Sequence, residues 1–94
     1  MEKVKFSFIV EAVYSIIGRG TIVIGRVEHG EINQGDYLDL IGSEKPLKTK
    51  CLSIEKNRLF VEKAQTGERI GIRLSDVSLS EVASGMKLII KDYS

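Results

Sequence analysis

A single cysteine in 94 residues, Cys51, leaves no partner for an internal disulfide and excludes any metal site built from several thiolates. That thiol usage suits a reducing compartment. Histidine is equally scarce. His29 is the sole imidazole, and its glycine-flanked setting reads as a turn. Cys51 falls mid-strand, where cysteine behaves as a small buried hydrophobe. A Cys/His nucleophilic pair needs proximity and an activating environment, and nothing in the spacing supplies either. Metal ligation needs three or four suitable side chains at matched spacing, and no such cluster is present, so no metal is expected. The lysines are not framed by the glycines of a phosphate loop. Gly18-Arg19-Gly20 begins like a dinucleotide fingerprint, but Val23 stands where the third glycine belongs and a strand follows, not a helix. No cofactor is therefore expected.

Other absences narrow the reading further. The formal net charge is only +1, which argues against a strongly basic, sequence-independent nucleic-acid binder and leaves local basic patches open. No stretch approaches the roughly 20 apolar residues of a membrane helix. Met1-Glu2-Lys3-Val4-Lys5 is not followed by a secretory apolar run, so a cytoplasmic protein without a membrane is expected. The carboxylates Glu11, Asp36, Glu55 and Asp76 are scattered, with no spacing that sets up an acid/base couple. Neither a catalytic residue nor an enzymatic activity is expected of this chain.

What is present is strand-like nearly throughout. Phe6, Phe8, Val10 and Ala12 alternate with Ser7, Ile9, Glu11 and Val13, which puts the aromatic set on one face. Gly18 to Gly20 reads as a turn, and Thr21 to Glu28 as a β-branched strand. Gly25 inside that strand predicts a bulge or sharp bend, as barrel corners need. Glu28 to Asp36 predicts tight turns around one buried anchor, Ile32. Tyr37 to Ile41 follows as a strand with Leu38 and Leu40 inward, then a Gly42 to Pro46 loop. Leu47 to Glu55 is a strand with Lys48 and Lys50 on one face. Lys56 to Arg58 turns, Leu59 to Val61 forms a short strand, and Glu62 to Thr66 leads to Gly67. Arg69 to Leu74 alternates again. Ser78 or Ser80 caps one short helical turn ended by Gly85, and Met86 to Ile90 is the last strand. Six or seven short strands with glycine-rich turns predict one all-β domain over residues 1–94, a small closed or nearly closed barrel. Closure would also remove the exposed edges of so β-rich a chain.

The segment Gly18-Arg19-Gly20-Thr21-Ile22-Val23-Ile24-Gly25-Arg26-Val27-Glu28-His29-Gly30 resembles the G-R-G-T-V-V-T-G-R-V-E-x-G signature of the second domain of elongation factor Tu. The similarity continues in order. Ile32 with Gly35-Asp36 matches I-x-x-G-D/E, and Lys48 to Glu55 matches a strand ending in V/I-E. Gly67 to Ile72 matches G-D/E-N-V-G-V/I, and Leu79 to Leu88 matches I-x-x-E-x-I-x-x-G-x-V-L. Five collinear motifs carry the resemblance from about Phe8 to about Leu88.

The resemblance implies a closed six-stranded antiparallel β-barrel that sits beside a GTPase domain in translational GTPases. In elongation factor Tu that barrel helps form the pocket for the aminoacylated 3′ end of transfer RNA, and in relatives it contacts the small ribosomal subunit. By that likeness the RNA-binding residues are Glu11, Tyr14, Glu55 and Arg58. The departures are as specific. Ala12, Ile24, Lys56, Asn57, Leu59 and Arg69 replace polar or pocket residues of the pattern, while the glycine and apolar framework is kept. Arg19 and Arg26 are expected to be ion-paired scaffold residues, and Lys48 and Lys50, alternate residues on one strand face, to serve solubility, the alternative being a phosphate-facing stripe. The implied function is a binding module for transfer RNA or the ribosome. The alternative is a protein-interaction or structural barrel that kept the fold and lost RNA binding, with a partner such as a GTPase domain. The chain has no room for a GTPase domain of its own. Met1 and tidy ends suggest a free-standing barrel, against one domain cut from a longer protein. The oligomeric state is left open.

Overall fold

The computed structural model describes residues 2–93. Eight strands run in chain order: β1 (Glu2–Ile16), β2 (Gly20–Asn33), β3 (Tyr37–Ile41), β4 (Leu47–Lys56), β5 (Leu59–Val61), β6 (Lys63–Gln65), β7 (Arg69–Leu74) and β8 (Lys87–Tyr93). Six of them pair in the order β1-β8-β3-β4-β7-β2, and β2 returns to β1. All these pairings are antiparallel, so the ring is a closed six-stranded barrel. The two extra strands extend it: β5 folds back on β4, and β6 pairs with the far end of β2.

The core follows from alternation. On β2 and β7, Val23, Val27, Ile70, Ile72 and Leu74 point inward while their neighbours point out. Phe6 and Phe8 of β1, Ile32, Leu40, Ile54 and Leu88 complete a fully buried interior. Burial of each such side chain contributes roughly 1.5–3 kcal/mol, and closure leaves no inward-facing edge. Residues Ser75 to Gly85 cover one end. Thr21 Oγ1 donates to Val77 O at 2.7 Å and Thr49 Oγ1 to Ser75 O at 2.6 Å, while Val77 and Val82 are buried beneath the cover. Within it Ser78 begins a single 3-10 turn over Leu79–Glu81, and the Glu81 carboxylate accepts the Ser78 N–H at 2.9 Å. Gly85 follows with φ +93°.

The bend expected at Gly25 is where two strands nearly touch. A Cβ there would lie 1.8 Å from the carbonyl oxygen of Ile9, so only glycine lets β1 cross β2 at that distance. Directly opposite, β1 is irregular. Val10 pairs with Gly25 and Ala12 with Ile24, leaving Glu11 as the extra residue of a bulge.

Three expectations need correction. First, the alternation of Phe6, Phe8, Val10 and Ala12 does not continue on one face. The bulge at Glu11 shifts the parity, so Val13 packs on the core and Tyr14 faces out. Second, Glu28 to Asp36 is not a cluster of tight turns. β2 continues to Asn33 with His29 inside it, and the turn is confined to Gln34 and Gly35. Gly30 explains the sequence signal, because its φ of +80° bends the strand and its missing Cβ admits the Lys5 carbonyl. Third, Glu62 to Thr66 holds a strand, β6, which raises the count to eight. Its three residues are too few to show a period.

Candidate functional site

The outer face of the β2–β7–β4 wall carries the site. Cross-strand register sets its rows. Ile24, Gly71 and Glu55 lie side by side on β2, β7 and β4, and Phe60 of β5 follows Glu55. The adjacent row runs Tyr14, Ile22, Arg73 and Ser53 across β1, β2, β7 and β4. Directly opposed antiparallel residues share a face, so these side chains all look outward. Gly71 has no side chain, and this makes a trough. The nearest atoms a Cβ would meet are ordinary contacts at 3.8 and 3.9 Å, among them side-chain carbons of Ile22 and Ile24. The trough is occupied by two adjoining grooves that share Ile22, Glu55 and Gly71.

The first groove, of about 240 Å³, is walled by Arg19, Ser53, Phe60 and Arg73. The second, of about 330 Å³, is walled by Ile24, Asn57, Arg58 and Arg69. The β4–β5 hairpin overhangs both. Its turn is Asn57-Arg58, with φ +51° and +66°. Two successive left-handed residues form the type I′ turn that matches strand twist. Asparagine suits its place, but arginine stands where glycine is favoured. The turn sets Arg58 at the groove rim at a cost in backbone strain.

Of the residues named from sequence, Glu55 and Arg58 line the same groove. Glu11 stands at the β1 bulge, and its Oε1 accepts from Arg69 Nε at 2.9 Å, which steadies a third groove residue. Tyr14 is half exposed at 52 %, on the strand next to Ile22 and outside both linings. Arg19 and Arg26 are not ion-paired scaffold residues. Among the described residues Arg19, Arg26, Arg58 and Arg73 form no ion pair. Arg73 Nε is enclosed without a hydrogen-bond partner. Sequence reading also passed over Phe60, Gly71 and Arg73. The signal for the last two was present: Arg69, Gly71 and Arg73 share one parity of β7, opposite to inward Ile70, Ile72 and Leu74.

Displaced ionisations lie elsewhere. Hydrogen bonds from Lys87 and then Ser7 hold Glu28 below the ordinary carboxylate value. Lys56, then the Gln65 N–H, does the same for Glu68. Burial pushes the Cys51 thiol up to about 11. Each shift has a local structural cause. Among the described residues no group of three or more His, Cys, Asp or Glu side chains is placed to hold a metal ion. No helix among them is long and apolar enough to cross a membrane.

What the groove face can do is bind. Four guanidinium groups surround a shallow apolar floor, and exposed Phe60 offers an aromatic face. The sequence model of the family described as Elongation factor Tu domain 2 matches residues 20–89. That span takes in β2 through the start of β8, and the chain belongs to that family.

Proposed function

We propose that the chain is a non-catalytic binding module of the translation-factor type that holds RNA, the 3′ end of transfer RNA or the ribosome, against its arginine-lined trough. The observation that carries the reading is the convergence of Glu55 and Arg58 on one open groove, with Arg69 held beside them by Glu11. Planar guanidinium forks suit phosphate oxygens, and carboxylates with exposed aromatics suit ribose and base. Glu11, Tyr14, Glu55 and Arg58 are the residues assigned to this contact.

The test is fluorescence anisotropy with transfer RNA, and separately with small ribosomal subunits, over a salt series. Affinity should fall linearly with log salt. Arg58→Ala and Tyr14→Ala should each weaken binding by roughly tenfold, in line with about 1–3 kcal/mol for a stacked base or a charge-assisted contact. No binding at low salt, or binding indifferent to both substitutions, sinks the reading.

A second reading has its own observation. Leu59 and Phe60 are 69 % and 67 % exposed on the β4–β5 hairpin, and Ile17 is fully exposed at the β1–β2 tip. These are apolar contacts for a protein partner such as a GTPase domain. RNA-independent capture of such a domain, abolished by Leu59→Ser with Phe60→Ser and unaffected by Arg58→Ala, would favour it.

A further inference from the structure

Two strands lie off the closed ring, and they guard their outer edges differently. Among the described residues β6 pairs only with β2, and its Lys63 and Gln65 are the kind of side chain that deters stray pairing at an edge. β5 pairs only with β4, and its three residues are Leu59, Phe60 and Val61. Leu59 is 69 % exposed and Phe60 67 %. No charge or proline interrupts them, and their register with β4 runs without a bulge. The backbone of this edge is open at one residue. The β4–β5 turn closes on the Lys56–Leu59 pair, and in a two-residue hairpin that pair exchanges its N–H···O=C bonds across the strands. Alternation then turns the Phe60 N–H and C=O away from β4, to the outer edge. Beyond it the Glu62 carbonyl accepts the Gln34 N–H at 2.8 Å, which ends the open stretch.

The flanking charges identify what pairs there. Arg58 stands two residues before Phe60 and Glu62 two residues after it. Both are exposed, and among the described residues neither forms an ion pair. Reversed about Phe60, the segment Arg58-Leu59-Phe60-Val61-Glu62 meets its own complement. A second copy laid antiparallel sets Phe60 against Phe60, Leu59 against Val61, and Arg58 against Glu62 at both ends. Directly opposed residues share a face, and opposite charges placed so attract. We propose that β5 is a self-association edge, through which two copies of this chain pair antiparallel about Phe60 as a two-fold dimer. The occupant is a second copy, not the GTPase domain of the second reading above, and the inference does not rest on RNA binding. Three residues a side make a small interface, so the dimer is weak and reversible, with a Kd on the order of 0.1–1 mM.

The experiment is sedimentation equilibrium of the full chain without RNA, over a concentration series that brackets that Kd. The average mass should climb from monomer towards dimer. Arg58→Glu sets two glutamates against each other at both ends of the paired strands, and Glu62→Arg sets two arginines there. Each variant by itself should associate roughly tenfold more weakly, or worse. Mixed in equal amounts, the two variants regain an opposite charge at both ends, and the mixture should associate like the unaltered chain. Lys45→Glu, the same charge change in the exposed Gly42 to Pro46 loop, should leave association as it was. All three positions are exposed, so the barrel stays folded, which amide spectra of each variant report. Isotope-filtered spectra of a mixed labelled sample should link Leu59 of one copy to Val61 of the other. A chain that stays monomeric across the series overturns the proposal. So do single variants that associate undiminished, or a mixture no stronger than its components.

Discussion

The wall that carries the grooves and the wall around β3 and β8 are built from the same antiparallel pairing, yet they treat charge in opposite ways. On the β3 side, Lys48 Nζ lies 2.6 Å from Asp39 Oδ1, and that aspartate side chain is only 9 % exposed. Its lysine compensates a nearly buried anion. On the groove side, Arg73 keeps an enclosed Nε unmade and Arg58 keeps a left-handed backbone. One wall uses its cations to stabilise the fold. The other keeps Arg73 and Arg58 at the expense of the fold.

Two strand-interior glycines give the largest test of that division. Gly25 faces inward and Gly71 outward. Gly25→Ala places a methyl group 1.8 Å from the Ile9 carbonyl oxygen and against the Phe8 ring. Urea denaturation should show a loss of about 3 kcal/mol or more, because the obstruction is backbone and cannot swing aside. Gly71→Ala meets nothing closer than 3.8 Å. It should leave stability within about 1 kcal/mol, with alanine gaining what glycine loses in chain entropy, and should weaken RNA binding by raising the trough floor. Equal destabilisation by both would show that the Gly71 position serves the barrel and not the trough.

The next pair sets the walls directly against each other. Lys48→Met strips the partner from Asp39 and should destabilise by about 1–2 kcal/mol, since the carboxylate stays largely out of water. Arg73→Met removes an unmade buried donor and keeps the aliphatic stem. It should stabilise by about 1 kcal/mol, a rise of roughly 4–8 °C in Tm for a domain this size. Arg58→Gly relieves the turn and should stabilise by up to about 1 kcal/mol. Both arginine changes should weaken RNA binding. The same sign of stability change for Lys48→Met and Arg73→Met would erase the distinction.

Much of the barrel is legible in the residues alone, because one-face alternation and glycine at close approaches are local demands. The bounds of β3 and β7, the inward Ile32, the bend at Gly25 and the Ser78 turn all follow from them. What escapes is relational. The Glu11 bulge exists only against the partner positions Gly25 and Ile24, yet it decides that Tyr14 faces out. β2 continues through Gly30 because β1 comes close there, which no reading of β2 by itself reveals. The arginine face is hidden for a similar reason. A net charge of +1 averages over the whole surface, and only the β2–β7–β4 register, with the turns that bear Arg19 and Arg58, brings the four arginines onto one side.

The smallest expected effect concerns acid stability, and it belongs to the lysine-paired carboxylates alone. Glu28 and Glu68 are held below their ordinary value of 4.5 in the folded chain, by Lys87 and Lys56 first and by Ser7 and the Gln65 N–H second. A carboxyl whose folded pKa is depressed contributes stability that is present above its unfolded pKa. That contribution is lost as pH falls through the lower folded value. The stability curve should therefore decline below about pH 4.5, and the decline should flatten in Glu68→Gln and in Glu28→Gln. At neutral pH each substitution should remove less than about 1 kcal/mol, because both pairs are partly exposed and screened. Arg58→Gly and Arg73→Met should shift the whole curve and leave its acid slope unchanged, since among the described residues no carboxylate pairs with either side chain. An acid slope that changes in the arginine variants would mean that the acid loss does not belong to the lysine-paired carboxylates alone.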